Sequence, residues 1–365
     1  MGSAVLYHLA RRGQRVLGLE QFDIPHEMGS SHGVNRIIRL AYAEDPRYVP
    51  LLRRAYYLWS ELERESGRQL LVITGGLDAG PIDSAIVTGS IESCRQHDIP
   101  YEELDPREVR RRYPGYKLAS DMLAVYQANA GFVLAEDSIL AHVGLARDAG
   151  AEIHEREPVL DWDAEENMVS VRTRHSRYQA RKLIVTAGAW VGKLLPELAP
   201  LAIPERQVLM WVEPKKAEHF QVGAFPIVNM DSPEGRFYGF PVYKIPGFKI
   251  GKYHHRRENV DPDLMDRECS REDEHVLREA IQQYFPGANG RTLLLKACMF
   301  TNTPDEHFLL DTHPDATNVY IAAGFSGHGY KFCSVIGEIL ADLVVSGQTD
   351  LDIALFRITR FSGKH

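Results

Sequence analysis

Two hydrophobic periods alternate along the chain. Val319-Tyr320-Ile321-Ala322-Ala323 is a short apolar run, partly β-branched, that predicts a buried strand. It leads into Gly324-Phe325-Ser326-Gly327-His328-Gly329. Beyond that turn, Ile336, Ile339, Leu340, Leu343 and Val344 recur at the helical period as one apolar face. A strand, a glycine-rich turn and a helix start together make a pocket of free backbone N–H groups suited to an electron-rich ligand. Lys331 stands at the start of that helix, and Cys298 is expected upstream in a polar connection.

At the other end, Ala4, Val5, Leu6, Leu9 and Ala10 predict a short amphipathic helix stopped by Gly13. Arg15 to Glu20 then reads as a strand ending in an acid. This pattern is the second half of a dinucleotide-binding unit, in which an acid about 20 residues past the glycines binds a ribose hydroxyl. Gly2 falls where the third glycine of the G-x-G-x-x-G fingerprint belongs. The chain is therefore expected to begin inside that fingerprint, short of one strand and a turn, roughly a dozen residues. Loss of that strand would expose sheet edges and remove N–H groups that meet a pyrophosphate. The plain alternative for Glu20 is an ordinary strand-end carboxylate.

Between these ends the period switches several times. Phe22 to Gly33 is a loop by its Pro and Gly content. Leu51, Leu52, Ala55, Leu58, Trp59 and Leu62 give a core-facing helix over Tyr48 to Glu65, with Trp59 structural. Leu70 to Gly80 is strand-like, Ile82 to His97 helical, and Leu104 to Tyr113 a short helix stopped by Pro114-Gly115. Glu136 to Ala149 is helical, followed by strands at Ala151 to His154, Met168 to Thr173 and Leu183 to Val185. Within Arg206 to Lys252, strands at Gln207 to Val212, Arg236 to Phe240 and Phe248 to Gly251 are separated by turns and predict an antiparallel sheet. Glu268 to Ala280 reads as a charged helix.

At 365 residues the chain is too long for one ordinary core, so two domains are expected. Its 44% hydrophobic and 25% charged content is that of a soluble globular protein. No apolar run approaches the roughly 18 residues of a membrane span. The N-terminus shows no secretion signal, and the C-terminal Ser362-Gly363-Lys364-His365 matches no common address. Cys94, Cys269, Cys298 and Cys333 form no C-x-x-C pair, which argues against zinc or a disulfide framework and for a reduced, cytoplasmic location. The net charge of −8 argues against nucleic acid as partner and means that an anionic substrate must meet a local cationic cluster. The basic runs Arg110 to Tyr113 and His254 to Arg257 read as solvated faces.

Several segments carry a family resemblance: CMFTNTPDEHFLLDTHP from Cys298, AAGFSGHGYKF up to Phe332, and FDIPH, GSSHG and RIIR between Phe22 and Arg39. Together they resemble the monomeric sarcosine oxidase and N-methyltryptophan oxidase family of flavoenzymes, over nearly the whole chain. The resemblance implies an α/β plus α+β architecture. A Rossmann-like FAD-binding domain would be built from residues 1–68, 136–204 and 305–365, and an antiparallel-sheet substrate domain from 69–135 and 205–304. It implies FAD attached through a thioether to Cys298; the alternative for that thiol is a small buried hydrophobe, as expected for Cys333.

By the same resemblance Ser30, His32 and Arg36 lie by the flavin. Gly2, Glu20, Val159, Gly188, Gly324, Gly327 and Gly329 contribute to cofactor binding. Arg36 and Arg39, three apart, would point the same way on a helical turn. Arg39 and Lys331 would clamp the substrate carboxylate, and Tyr238 would line the pocket. Lys249 would sit near the flavin N5 edge and assist oxygen; its alternative is an edge-strand lysine facing water. His254 is the nearest match to an active-site histidine, although an extra residue at Lys252 leaves His255 in competition. Phe300 stands where one family branch has tyrosine.

The implied activity is oxidation of a secondary or N-methyl amino acid to an imine by hydride transfer to flavin N5. Reoxidation by O2 would give H2O2, in a monomer acting on small molecules. Two alternatives remain at this point: a flavin-dependent dehydrogenase or D-amino-acid-type oxidase, and a non-catalytic chain unable to hold FAD.

Overall fold

The computed structural model describes residues 1–362; Gly363 to His365, the end of the SGKH tail, lie outside the described residues. An eight-stranded sheet forms one half of the molecule. Its spatial order is Thr292–Asn302, Ile203–Val212, Phe248–Lys252, Gly235–Phe240, Ile227–Ser232, Gly76–Pro81, Met122–Gln127 and Glu102–Leu104. Every pairing is antiparallel except that of Ile227–Ser232 with Gly76–Pro81, so the sheet is mixed where an antiparallel one is expected. Ile227–Ser232, absent from the sequence-based expectation, makes that parallel join.

The side-chain period of two then decides what each face carries. Val208, Met210, Val212, Val228, Met230, Phe237, Phe248 and Ile250 point to one face and pack on the helix Arg271–Tyr284 through Leu277, Ala280 and Ile281. That helix opens on a reciprocal cap between Ser270 and Asp273. The register puts a different set on the other face. Cys298 opposes Gln207, Trp211 opposes Lys249, Phe240 opposes Lys249, Tyr238 opposes Asn229, and Asn229 opposes Asp78. One face is a hydrophobic core, and the other carries the chemistry.

The second half is helical with small parallel sheets. The helices Gly2–Arg11, Val49–Ser66 and Cys333–Ser346 share one core with Trp59, Ile336, Ile339 and Leu340. Gly67, at φ 66°, closes the second of them, a backbone conformation glycine adopts without strain. Leu17–Leu19 pairs in parallel with Glu152–His154, and Leu183–Val185 in parallel with Ala316–Ala323, which also takes Leu309–His313 on its far edge. Among the described residues, the remaining edges of Leu17–Leu19 and Leu183–Val185 carry no strand. Leu17, Leu19, Leu183 and Ile184 are only half-buried. Leu19 nevertheless joins the apolar cluster that contains Leu183 and Val185. A three-stranded meander, Val159–Glu165, Met168–Thr173 and Arg177–Ala180, covers this layer; its first and third strands are additions to the expected elements. No helix among the described residues is long and apolar enough to cross a membrane.

Candidate active site

Lys249 lies on an interior strand of the large sheet and is 2% exposed, which excludes the water-facing edge position. Its Nζ donates to Gly33 O (2.7 Å), Asn35 O (2.8 Å) and Asn35 Oδ1 (2.8 Å), and stands 4.4 Å from the centre of the Phe240 ring. Three acceptors call for three N–H bonds, the geometry of an ammonium. Burial, and then the charge of Arg36, hold its pKa well below the ordinary lysine value. Among the described residues no carboxylate is hydrogen-bonded to it; Glu136, whose charge acts on it from farther off, instead takes the Gly33 and Val34 amides that present the loop.

A loop and the strand after it, Asn35–Ile38, bring His32 and Arg36 over this face, against Cys298. Arg36 Nη2 donates to Ser30 O (2.7 Å) and lies 3.8 Å from Cys298 Sγ. His32 is 0% exposed, and neither ring nitrogen has a partner among the described residues. Burial first, then Arg36, Lys296 and Lys249, push its pKa down to about 2, so the imidazole is neutral. Cys298 is not in a polar connection. It is 3% exposed on the strand Thr292–Asn302, which pairs along Ile203–Val212. Nor do Arg36 and Arg39 share a helical turn. Arg36 lies on the strand Asn35–Ile38 and Arg39 directly follows it, and along such backbone positions three apart face opposite ways. Arg36 accordingly turns to Cys298 and Arg39 to Asp78.

Arg39 enters a buried charge cluster. Its Nε is 3.0 Å from Asp78 Oδ2 and its Nη2 is 3.0 Å from Glu44 Oε2; Arg236 Nη2 takes the other oxygen of Glu44 at 3.0 Å. Burial lowers the Arg39 pKa, but Asp78 and Glu44 outweigh it and hold the group above its ordinary value. Burial likewise opposes the charge on Glu44, and Arg39 and Arg236 overcome it. Lys331 Nζ donates to His328 O at 2.6 Å and lies 5.1 Å from the Tyr42 ring centre, as Arg39 Cζ does at 4.9 Å. Burial and then Arg39 bring the Lys331 pKa down to about 7. Trp59 Nε1 donates to Lys331 O at 2.8 Å, so the structural tryptophan also fixes this lysine.

Aromatic rings join the two clusters. Tyr238 is 5.4 Å from Tyr253 and Tyr253 5.5 Å from Phe300, centre to centre. Phe300 leans on the glycine loop: a Cβ at Gly327 (φ 77°) would stand 2.4 Å from its ring. The neighbouring loop glycines are equally confined, Gly324 by Thr303 and Gly329 by Phe325. The loop offers fewer free N–H groups than expected, because Ser326 N donates to Thr301 O and His328 N to Phe325 O. Lys331 sits in a 3-10 turn, Tyr330–Phe332, that precedes the helix.

His254 and His255 part company. His254 lies between Glu205 (2.8 Å) and Glu306 (3.0 Å), whose hydrogen bonds, Glu205 first, lift its pKa to about 9. His255 is buried on Asp273, so within the HHRR run only Arg256 and Arg257 form the solvated face its charge suggests.

The remaining predicted cofactor residues gather at strand ends. Glu20, Gly188 and Gly324 each follow the carboxyl end of a parallel strand, where open α/β sheets bind ligands. Glu20 accepts from Phe22 N, and Gly188 (φ 55°) has open space where a Cβ would be. A Cβ at Gly2 would stand 2.8 Å from Thr186 Oγ1, so the first helix starts against the end of Leu183–Val185. Val159 is half-buried at the start of its strand. Two surface cavities, of about 300 and 600 Å³, open elsewhere, around Leu264 and beside the helix Ala85–Gln96.

Comparison with known proteins decides the family. Residues 1–343 match the profile of the FAD dependent oxidoreductases. The chain belongs to the FAD dependent oxidoreductase family. It is 41% identical to a monomeric sarcosine oxidase of Bacillus sp. (strain NS-129), over 99% of this chain and 94% of that protein. It is 34% identical to the N-methyl-L-tryptophan oxidase of Salmonella heidelberg, over 99% of this chain and 96% of that one. Among solved structures, L-proline dehydrogenase from P. horikoshii superposes with a TM-score of 0.85 at 22% identity, over 99% of this chain and 94% of that one.

As a member of this family the chain is FAD dependent, and its residues fit the cofactor. The two unpartnered nitrogens of buried His32, the Cys298 sulfur beside Arg36, and the open strand ends at Glu20 and Gly188 are the observations that carry the fit. Glu44, Asp78 and Arg236 were not among the predicted residues. One signal was available for Asp78, a lone acid in the apolar run Gly76–Pro81, and one for Arg236, which shares a strand face with Tyr238 two residues on.

Proposed function

We propose that this chain oxidises the CH–N bond of a secondary or N-methyl amino acid, sarcosine-like, to an imine, with FAD tethered to Cys298 and O2 reduced to H2O2. The observation that carries this is one sheet face holding Cys298, Lys249 and Tyr238, with a loop bearing His32 and the strand after it, Asn35–Ile38, laid across that face to bring Arg36 and Arg39. The sarcosine oxidases and the N-methyl-L-tryptophan oxidase among its relatives support the substrate class, and the name of the Bacillus sarcosine oxidase supports a monomer. FAD, when bound, supplies the two-electron acceptor that no side chain can provide.

The chain's own residues do the rest. Arg39 and Lys331 hold the substrate carboxylate, which shares the guanidinium with Glu44. Lys331, with its pKa near 7, is largely neutral above that pH. An arriving carboxylate raises that pKa, so Nζ takes up the proton of the substrate ammonium and leaves the reactive neutral amine. Holding the amine at near-attack distance contributes several kcal/mol, up to about 7–11. Lys249 presents an ammonium without a countercharge to negative charge developing on oxygen.

The test has two parts. Yellow colour should stay with the acid-precipitated protein and be lost from it in Cys298→Ser; colour released from the unaltered protein would remove the tether. Peroxide release is then measured with sarcosine, N-methyltryptophan, proline and pipecolate. Release with at least one is expected. Dye reduction without peroxide would favour a dehydrogenase, and a preparation that stays colourless after incubation with FAD would leave the non-catalytic alternative.

A further inference from the structure

Arg236 has no part in the reading above, yet it stands in the same pocket. It projects from the face that carries Tyr238, two residues along the strand Gly235–Phe240, while Phe237 between them points into the opposite core. Its guanidinium lies over Tyr253 at 4.8 Å, and Tyr253 touches both Tyr238 and Phe300. The side chain is 23% exposed. Nε is used by Asn229 Oδ1 (3.1 Å) and Nη2 by Glu44 (3.0 Å), leaving Nη1 without a partner among the described residues.

One carboxylate therefore serves two guanidinium groups, Glu44 giving one oxygen to Arg39 and one to Arg236. Beside them Asn229, 1% exposed, has an unpartnered Nδ2, and Asp78, 3% exposed, an unpartnered Oδ1. A buried donor left unmade, as the Asn229 amide is, is costly unless a ligand or water completes it; the Asp78 oxygen is an acceptor and adds nothing to an anion site. The arrangement is larger than one α-carboxylate needs. Arg39 and Lys331 suffice for that, and a third, partly exposed cation with a spare N–H and an adjacent orphan amide forms a second anion position beside them.

Resting on the function proposed above, we propose that the preferred substrate carries a second carboxylate, on its side chain or on its N-substituent, bound by Arg236 with Asn229. Arg236 then determines specificity, and Glu44 is the internal stand-in for the ligand between the two guanidinium groups.

The experiment compares kcat/KM for sarcosine, N-methylaspartate, N-methylglutamate and iminodiacetate in the unaltered holoenzyme, Arg236→Met and Arg236→Lys. At least one dicarboxylate should exceed sarcosine about tenfold. Arg236→Met should lower that dicarboxylate about tenfold more than it lowers sarcosine, the worth of one charge-assisted hydrogen bond, with partial rescue in Arg236→Lys. The two N-methyl acids report a side-chain carboxylate, and iminodiacetate one on nitrogen. Calorimetric titration with thiodiacetate against (methylthio)acetate, neither of which has a CH–N bond, checks binding alone and should show the two-acid preference lost in Arg236→Met. Equal losses for all substrates, or sarcosine equal to or better than the three dicarboxylates, overturn the proposal while leaving the amine oxidase intact. If a yellow protein oxidises none of these four and none of N-methyltryptophan, proline and pipecolate, the function falls instead. The titration then decides the second anion position by itself: unequal binding sustains it and equal binding ends it.

Discussion

Lys249 and Lys331 are both buried lysine side chains on the same cleft, and their surroundings are charged in opposite ways. Around Lys249 the acceptors are neutral: two backbone carbonyls and one amide, with aromatic rings beneath. Around Lys331 the carboxylates of Glu44 and Asp78 act on a group that already shares its space with Arg39 and Arg236. Neutral dipoles hold an ion without cancelling its field, whereas carboxylates cancel it. The first site keeps a positive potential for charge that develops during reaction. The second keeps exchangeable ion pairs, suited to a ligand that arrives already charged.

Lys249→Met should give the largest effect if the difference holds. Oxygen-dependent turnover is expected to fall about 10²–10³-fold, the typical cost of removing one preorganised electrostatic stabiliser. Anaerobic bleaching by substrate should fall much less. Equal losses in both, followed by stopped-flow absorbance, would erase the distinction between the two lysines. Glu44→Gln comes next and probes the other side. Breaking a buried pair that serves two guanidinium groups should cost about 3–5 kcal/mol of unfolding free energy, read by urea titration. The same change should tighten binding of carboxylate ligands, because the ligand no longer competes with an internal acid. Weaker ligand binding would show that Glu44 only braces Arg39.

Much of this cleft was legible in the sequence, and the gaps have a common cause. The strand at Val319 to Ala323, the glycine turn, the helix after it and the core helix bearing Trp59 follow from local period and glycine placement. Lys249 was legible as an inward lysine because its strand neighbours are apolar. Cys298 was not legible as a strand residue, since Ala297, Cys298, Met299 and Phe300 are all apolar and all buried, so no alternation marks the faces. Arg36-Ile37-Ile38-Arg39 suits a helical or an extended reading. Only its partner strand Gly131–Leu134, remote in sequence, settles which. Glu44, Asp78 and Arg236 meet through a loop and two strands joined by the large sheet, and no short window contains more than one of them.

His254 extends the comparison to full neutralisation and carries the smallest expected effect. With a carboxylate on each ring nitrogen, its charged form is favoured up to about pH 9 in the folded protein, against about 6.5 in the unfolded chain. The folded state therefore holds the extra proton between those values. The stabilisation is fully present below about pH 6.5 and is lost as pH rises through about 9. Partial exposure reduces the worth of the pairing to about 2 kcal/mol. His254→Gln should lower the melting temperature by a few degrees at pH 6 and by almost nothing at pH 10, flattening the slope between. An unchanged slope would mean that the carboxylate of Glu205 is satisfied by its other partners, Asn302 and Gln207, and that His254 is free to exchange protons with a ligand in the cleft.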